Sequence, residues 1–267
     1  MQPKVLIPTG YGLNCENETA YAFASVEGVA DKVHSSDVFA KPSILEDYHI
    51  LAMIGGFSFG DHIAAGKVLA NRYKYRLAEN LERFIEGGKL VIGICNGFQS
   101  MVQLGLLPGF DGRYDEQLVS LVSNESGVFE DRWIMLTANP SSKCVFTNNM
   151  QSIELPVRHG EGKLVVRDEG VLHRLRRDGQ VALQYADPAT GKATMRYPLN
   201  PNGSLDSIAG ICDPSGRVFG VMPHPEAYNN PYNHPNWALQ RQAKSLPSEG
   251  LGLQVFRNAV EYVRKNF

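Results

Sequence analysis

Between Lys4 and Leu107 the chain alternates continuous apolar runs with amphipathic stretches, and this alternation limits the possible folds more than any other feature. "KVLIPTG" (residues 4–10), "HILAMIGG" (49–56) and "KLVIGIC" (89–95) are strand-length runs with little polar interruption. Between and after them come "ENETAYAFASVEGV", with Tyr21, Ala24 and Val26 at helical spacing, then "KVLANRYKYRLAENLERFIEGG" and "FQSMVQLGLL". The middle one closes on two glycines, as helix C-termini often do. Strands without polar alternation are buried on both faces, so the pattern predicts a parallel sheet covered by helices on each side. From about Asp111 the texture becomes strand-rich, with Gly, Pro, Asp and Asn at the turns and "DPSGRVFGV" as a hairpin. The final "LGLQVFRNAVEYVRKNF" puts Leu253, Phe256, Val260 and Val263 on one helical face.

Size and charge exclude several functions. A chain of 267 residues can bury a sizeable core as one domain, 1–267, and no internal repeat divides it. A net charge of -2 argues against a nucleic-acid footprint, and the group Arg174, Arg176 and Arg177 reads as a solvated turn. No apolar segment reaches the roughly 18 residues of a membrane span, and the N-terminus has no signal-peptide pattern. Cys15, Cys95, Cys144 and Cys212 lack metal or disulfide spacing, which makes the cytoplasm the expected compartment and Asn17, Asn124 and Asn202 ordinary asparagines rather than glycosylation sites. The Asn- and Pro-rich stretch 227–249 is expected to be an ordered surface loop, long enough to be functional.

The chemistry concentrates at Gly93-Ile94-Cys95-Asn96-Gly97, a Gly-x-nucleophile-x-Gly elbow with cysteine in the nucleophile's place. Small flanking residues let the chain turn from strand to helix with the thiol at the tip. A helix N-terminus there favours thiolate, and the Asn96 amide is placed to donate to an oxyanion. The base comes from "MPHPE", where Pro225 holds His224 and Glu226 in an extended backbone with both side chains on one side. Glu226 can then orient the imidazole toward the thiol, the base-plus-orienter logic of a triad. A second oxyanion donor is available from the bare backbone of Gly55-Gly56-Phe57. Three other features carry less. Cys15 also precedes a helix but lacks elbow glycines. "GDHIAAGK" resembles a phosphate loop but has one residue too many and Val68 where Ser or Thr is needed. His159 in "RHGEGK", two residues before Glu161, is a rival base without a proline-set geometry.

Taken together, "GICNGFQ", "GGFSFGDH", "HGEGK" and "MPHPE" resemble class I (triad) glutamine amidotransferases. "YGLNCENETAYAF", "NESGVFEDRW" and "YPLNPNGSLDSIAGICDPSGRVFGVMPHPE" narrow the resemblance to the glutaminase subunits of phosphoribosylformylglycinamidine synthases, over most of the chain. The resemblance implies an α/β fold with a flavodoxin-like, mostly parallel sheet and an antiparallel extension. It implies Cys95 as nucleophile, His224 as base, Glu226 as orienter, and the Gly56 and Asn96 amides as oxyanion hole. It places Gln99 and Phe57 at the substrate, and His159, Gly160 and Glu161 near the glutamine pocket or a partner face. No cofactor or metal is expected in this chain. ATP and magnesium are expected on a synthetase subunit that takes up the ammonia to make formylglycinamidine ribonucleotide in purine synthesis, with a small third subunit. Two features depart from the family pattern: the long stretch after "MPHPE", and Ala227 where many members have Arg. The alternative functions are another thiol hydrolase, which would draw its histidine from the position of Asn96, and a catalytically idle regulatory module, which has no chemical need for the full Cys, His and Glu set.

Overall fold

The computed structural model describes residues 1–267. The first half contains β1 (Lys4–Thr9), α1 (Glu16–Ser25), β2 (Val29–His34), α2 (Ser35–Ala40), β3 (Ile50–Met53), α3 (Lys67–Glu86), β4 (Leu90–Ile94) and α4 (Asn96–Leu104). The second half contains β5 (Val119–Ser123), β6 (Glu130–Ala138), β7 (Ser152–His159), β8 (Glu161–Val166), α5 (Glu169–Arg177), β9 (Val181–Tyr185), β10 (Ile208–Cys212), β11 (Val218–Val221), α6 (Trp237–Gln242) and α7 (Leu253–Asn266).

One nine-stranded sheet runs β2-β1-β3-β4-β11-β10-β9-β6-β7, and β5 pairs with β8 in a small second sheet. The β2-β1-β3-β4-β11 part is parallel and has the strand order of a flavodoxin-like sheet. The β11-β10-β9-β6-β7 part is antiparallel, as expected for the extension. β3 and β4 are buried at every residue, because helices cover both faces. One layer joins α1 to α7 through the edge-to-face pair Phe23–Phe256, ring centroids 4.9 Å apart, and another joins α3 to α4. Each fully buried Leu, Ile, Val or Phe in this core contributes about 1.5–3 kcal/mol. No helix is long and apolar enough to cross a membrane.

Several local expectations are corrected. α1 buries Thr19, Ala22 and Phe23, with Val26 buried at its end as expected, while Tyr21 and Ala24 of the expected face are exposed. β2 and α2 have no apolar run; β2 forms as a half-exposed edge strand held by its six-residue parallel register with β1. "SIELPVRHGEGKLVV" breaks at Gly160, sending β7 into the large sheet and β8 into the small one. Arg174, Arg176 and Arg177 form the last turn of α5, where positive charge is favoured, and pair with Asp111, Asp206 and Asp178. The 227–249 stretch carries α6 and one short 3-10 turn, and starts within another, Pro225–Tyr228. It is pinned by His234, which is buried, bonds Glu154 through Nε2 at 3.0 Å and packs edge-on against Trp133.

Candidate active site

Ligand sites of open parallel sheets lie beyond the carboxyl ends of the strands, and the proposed site residues occupy that edge. Cys95 follows β4, the Gly55-Gly56 turn follows β3, His224 follows β11, and Cys15 follows the turn after β1. Cys95 has φ 50° and ψ -107°, a backbone strain of roughly 1–3 kcal/mol that places the thiol at the tip of the elbow. The flanking glycines have a different role from the one expected. Neither has a positive φ. A Cβ on Gly97 would overlap the Met53 carbonyl oxygen, and one on Gly93 would overlap Met101 Sδ. They are small because α4 is pressed onto β3 and β4. The Cys95 amide donates to Val221 O at 2.8 Å, tying the elbow to β11. The Asn96 amide is the first of α4 and has no intrahelical acceptor.

His224 and Glu226 meet, with Nδ1 2.5 Å from Glu226 Oε1, but not on the expected extended backbone: Pro225–Tyr228 form a 3-10 turn with proline at its first position, and the turn carries Glu226 back to the imidazole. Both residues are buried, and His224 Nε2 has no hydrogen-bond partner, although Cys95 and Cys15 both border the ring. Thiol–imidazole bonds that are loose in an empty site often tighten around substrate. Burial pulls the His224 pKa down, but the Glu226 carboxylate and the Cys95 sulfur outweigh it and hold the imidazole well above its ordinary 6.5. The arrangement can donate a proton at the thiol and take one back.

Gly56 has φ +143°, and a Cβ there would lie 2.6 Å from Leu13 Cα, so only glycine fits. Its amide is free, while its neighbours bond across to the first loop (Asn14 N to Gly55 O, Phe57 N to Gly12 O). The Asn96 side chain fastens this loop to the elbow: Oδ1 accepts from Ser58 N at 3.3 Å, and Nδ2 donates to Asp61 Oδ1 at 3.1 Å and to Gln99 Oε1 at 3.0 Å. Gln99 Nε2 donates to Glu161 O at 2.5 Å, so Gln99 clamps the Gly160–Gly162 turn beside the nucleophile and has both ends of its amide occupied. Phe57 is about half exposed at the rim, its ring 6.4 Å from that of Phe129. Asp61 and Glu161 have no cationic partner. Burial and then Glu161 raise the Asp61 carboxyl, so the two carboxylates are neighbours.

His159 is buried close to His224, with both ring nitrogens turned toward asparagines. Its Nδ1 lies 3.1 Å from Asn124 Oδ1 and its Nε2 faces Asn202 Nδ2 at 3.5 Å. Asn124 also donates to His159 O and accepts from Gly162 N, while Asn202 donates to Gly162 O and Tyr185 Oη. Ser204 Oγ closes the set by donating to Gly162 O and accepting from Leu164 N. The separate sequence segments "NES", "HGEG" and "NPNGS" therefore form one polar network that holds the Glu161 turn. Asn124, Tyr185, Asn202 and Ser204 had no assigned role in the sequence, because nothing local shows that they converge.

Burial, with His224 nearby, pushes the His159 pKa down to about 3. Below pH 6.5 the unfolded chain binds a proton that the folded chain refuses. The stabilisation is therefore complete above 6.5 and is lost as pH falls from there toward 3. Lowering the pH from about 7 to about 5 should cost wild-type protein about 2 kcal/mol more than His159→Gln in denaturant unfolding, and equal slopes would refute a neutral His159.

Cys15 is the one residue that sequence reasoning set aside and the structure brings into the site. Its Sγ, a His224 ring nitrogen and a Glu226 carboxylate oxygen lie within 4.8 Å of one another. The signal available in the sequence was its place at the start of α1, directly after a strand-end loop.

Comparison with known proteins agrees with this geometry. A family profile described as CobB/CobQ-like glutamine amidotransferase domain matches residues 2–263. The chain is 45% identical over 262 residues to phosphoribosylformylglycinamidine synthase subunit PurQ of Dehalococcoides mccartyi, covering 98% of each. It is 42% identical over 271 residues to the subunit of the same name in Methanococcus maripaludis, again covering 98% of each. Among solved structures, PurLQS from Thermotoga maritima contains a chain that superposes with a TM-score of 0.70 at 29% identity, covering 98% of this chain and 100% of that one.

Proposed function

This chain belongs to the CobB/CobQ-like glutamine amidotransferase family, and from that premise we propose that it is the glutaminase subunit of a phosphoribosylformylglycinamidine synthase. The observation that carries the catalytic reading is the elbow thiol of Cys95 beside His224, whose Nδ1 is tied to Glu226 and whose Nε2 is buried and unpaired. Cys95 attacks the side-chain carbonyl of glutamine, and the Gly56 and Asn96 amides receive the negative charge on oxygen. The His224 imidazolium gives its proton to the departing nitrogen, which leaves as ammonia. His224 then takes a proton from water, and the hydroxide hydrolyses the Cys95 thioester to glutamate. Asp61 and Glu161 supply a negative wall suited to the α-ammonium of an amino acid.

Ammonia released into water at neutral pH is protonated and lost as a nucleophile, so the chemistry requires a closed route to an acceptor. We assign ATP and magnesium to a synthetase subunit that converts formylglycinamide ribonucleotide to formylglycinamidine ribonucleotide, together with a small third subunit, in the cytoplasm. Residues 1–267 act as one amidotransferase domain in this reading. The exposed Phe57 and Phe129 at the pocket rim suit a partner face. Cys95 is only 5% exposed, its Sγ 3.7 Å from Arg158 O, which fits a site that opens fully only in the complex.

The test is peptide-mapped labelling by a glutamine-like chloroketone in the reconstituted complex. Label at Cys95 that excess glutamine prevents is the expected result. Label at Cys15, or labelling indifferent to glutamine, would overturn the assignment.

A further inference from the structure

An exposed isoleucine by itself needs no explanation, but one held in the left-handed region does. Ile63 is the most exposed large apolar side chain in the protein, 87% open, and its φ is +76°. Two branches on Cβ make that conformation costly, and glycine would hold the same turn without strain. Phe59 and Asp61 also have positive φ, 54° and 53°, so the strain recurs along residues 59–63. Strain of this kind persists only where the surroundings impose it, and it gathers at active sites, ligand clamps and switch regions.

The surroundings that impose it here belong to the active site. Phe59 stacks on Tyr11, ring centroids 4.4 Å apart, and its amide donates to Tyr11 O at 2.6 Å. Asp61 is fastened to the elbow through Asn96 Nδ2. The Ala65 amide donates to Glu161 Oε2 at 3.2 Å. Gly66 is pressed against α4, where a Cβ would come within 2.7 Å of the Ser100 amide. Residues 62–64 therefore bridge two fastenings, one on the elbow and one on the Gly160–Gly162 turn, and the bridge lifts Ile63 into solvent. The Ala65 fastening engages the same Glu161 carboxylate that faces the α-ammonium of glutamine in the reading above. The loop begins at Phe57, half exposed and next to the Gly56 amide.

We propose that Ile63 anchors the synthetase subunit at the mouth of the active site, entering an apolar pocket on that subunit and drawing the 61–65 bridge off Glu161. The docking role rests on the function proposed above. The occupant is the synthetase because ammonia must leave this mouth without meeting water, so the subunit that accepts it has to seal the loop bordering the exit. Docking and activation are then one event, since the contact that seals the exit also frees Glu161 for substrate. In the free chain the carboxylate stays on Ala65, and glutamine binds poorly.

The experiment adds the synthetase and the small third subunit to the full chain, reading assembly by calorimetry and glutaminase by glutamate release. Wild type should gain at least about tenfold in kcat/KM for glutamine on assembly, mostly through a lower KM. Ile63→Asp should weaken assembly at least about tenfold, as loss of a buried apolar anchor does, and should lose the gain. Its free-chain glutaminase and thermal melt should stay those of wild type, and Ile63→Leu should keep both assembly and gain. Ile63→Gly relieves the strained backbone, so it should melt no lower than wild type yet assemble as weakly as Ile63→Asp. Wild-type assembly and gain in Ile63→Asp would overturn the anchor. Full gain in Ile63→Asp once the synthetase saturates it would overturn the release of Glu161. A wild-type complex without glutaminase would overturn the functional reading, and the docking role with it.

Discussion

Replacing Cys95 by alanine lowers glutamine-dependent synthesis in the assembled complex by at least about 10⁴-fold, while synthesis from added ammonia persists. The substitution removes the sulfur that forms the thioester and little else. Cys95 Sγ touches the Arg158 carbonyl oxygen at 3.7 Å, a weak contact, and alanine inherits the same backbone at φ 50°. The elbow stays in place because its anchors do not involve the side chain: Cys95 N to Val221 O at 2.8 Å, and the Gly97 backbone against Met53. A partner that accepts ammonia should then turn over normally when ammonia is supplied directly. Both activities are read from one preparation, by glutamate release and by formation of the amidine. Loss of both together would mean that Cys95 supports the fold or the interface and is not a dedicated nucleophile.

His224→Ala should lower glutaminase turnover by about 10²–10⁴-fold, again sparing ammonia-dependent synthesis. Glu226→Gln should fall in the same direction by less, because the imidazole keeps its place against Cys95 but loses the carboxylate that holds Nδ1–H. Adding His224→Ala to Cys95→Ala should cost nothing further, since groups acting as one unit are not additive. The pH profile carries a second signature. Burial disfavours the imidazolium, but Glu226 and Cys95 raise its pKa well above 6.5, so the proton needed by departing ammonia remains available at neutral pH. In Glu226→Gln the alkaline limb of glutaminase activity should move to lower pH. A limb that stays in place would assign that titration to another group. Near-normal turnover in His224→Ala would remove His224 from the mechanism.

The parallel half of the fold was legible because its strands are buried on both faces, which leaves apolar runs with few alternatives. The same reasoning missed β2, an edge strand with polar residues whose existence depends on β1 beside it. Nor could it place the change of sheet between β7 and β8, because a chain that leaves one sheet for another at Gly160 carries no local mark of it. In the site, the His224–Glu226 pair was legible from its two-residue spacing, but the expected extended backbone was not what joins them: Pro225 opens a 3-10 turn that brings Glu226 to the imidazole. The elbow glycines were legible as a pattern, but for the wrong reason: their role is to make room for α4 against β3 and β4, while Cys95 itself carries the strained turn.

His159 and Cys15 mark the limit of sequence reasoning. One sits beside a Gly-Glu-Gly turn and looked available; the other lacked glycines and looked irrelevant. Folding buries the first among Asn124, Asn202 and the Gly162 backbone, and brings the second against the catalytic histidine. Neither outcome depends on neighbours in the chain. Periodicity and short residue spacings act over a few residues, so the amino-acid sequence by itself determined the covered parallel sheet, the elbow and the His–Glu pair. Which buried side chains meet across strand ends more than a hundred residues apart, and so which polar groups are satisfied and which are left open to a ligand, was decided only by the tertiary structure. Burial and hydrogen bonding are properties of surroundings that exist only once the chain has folded.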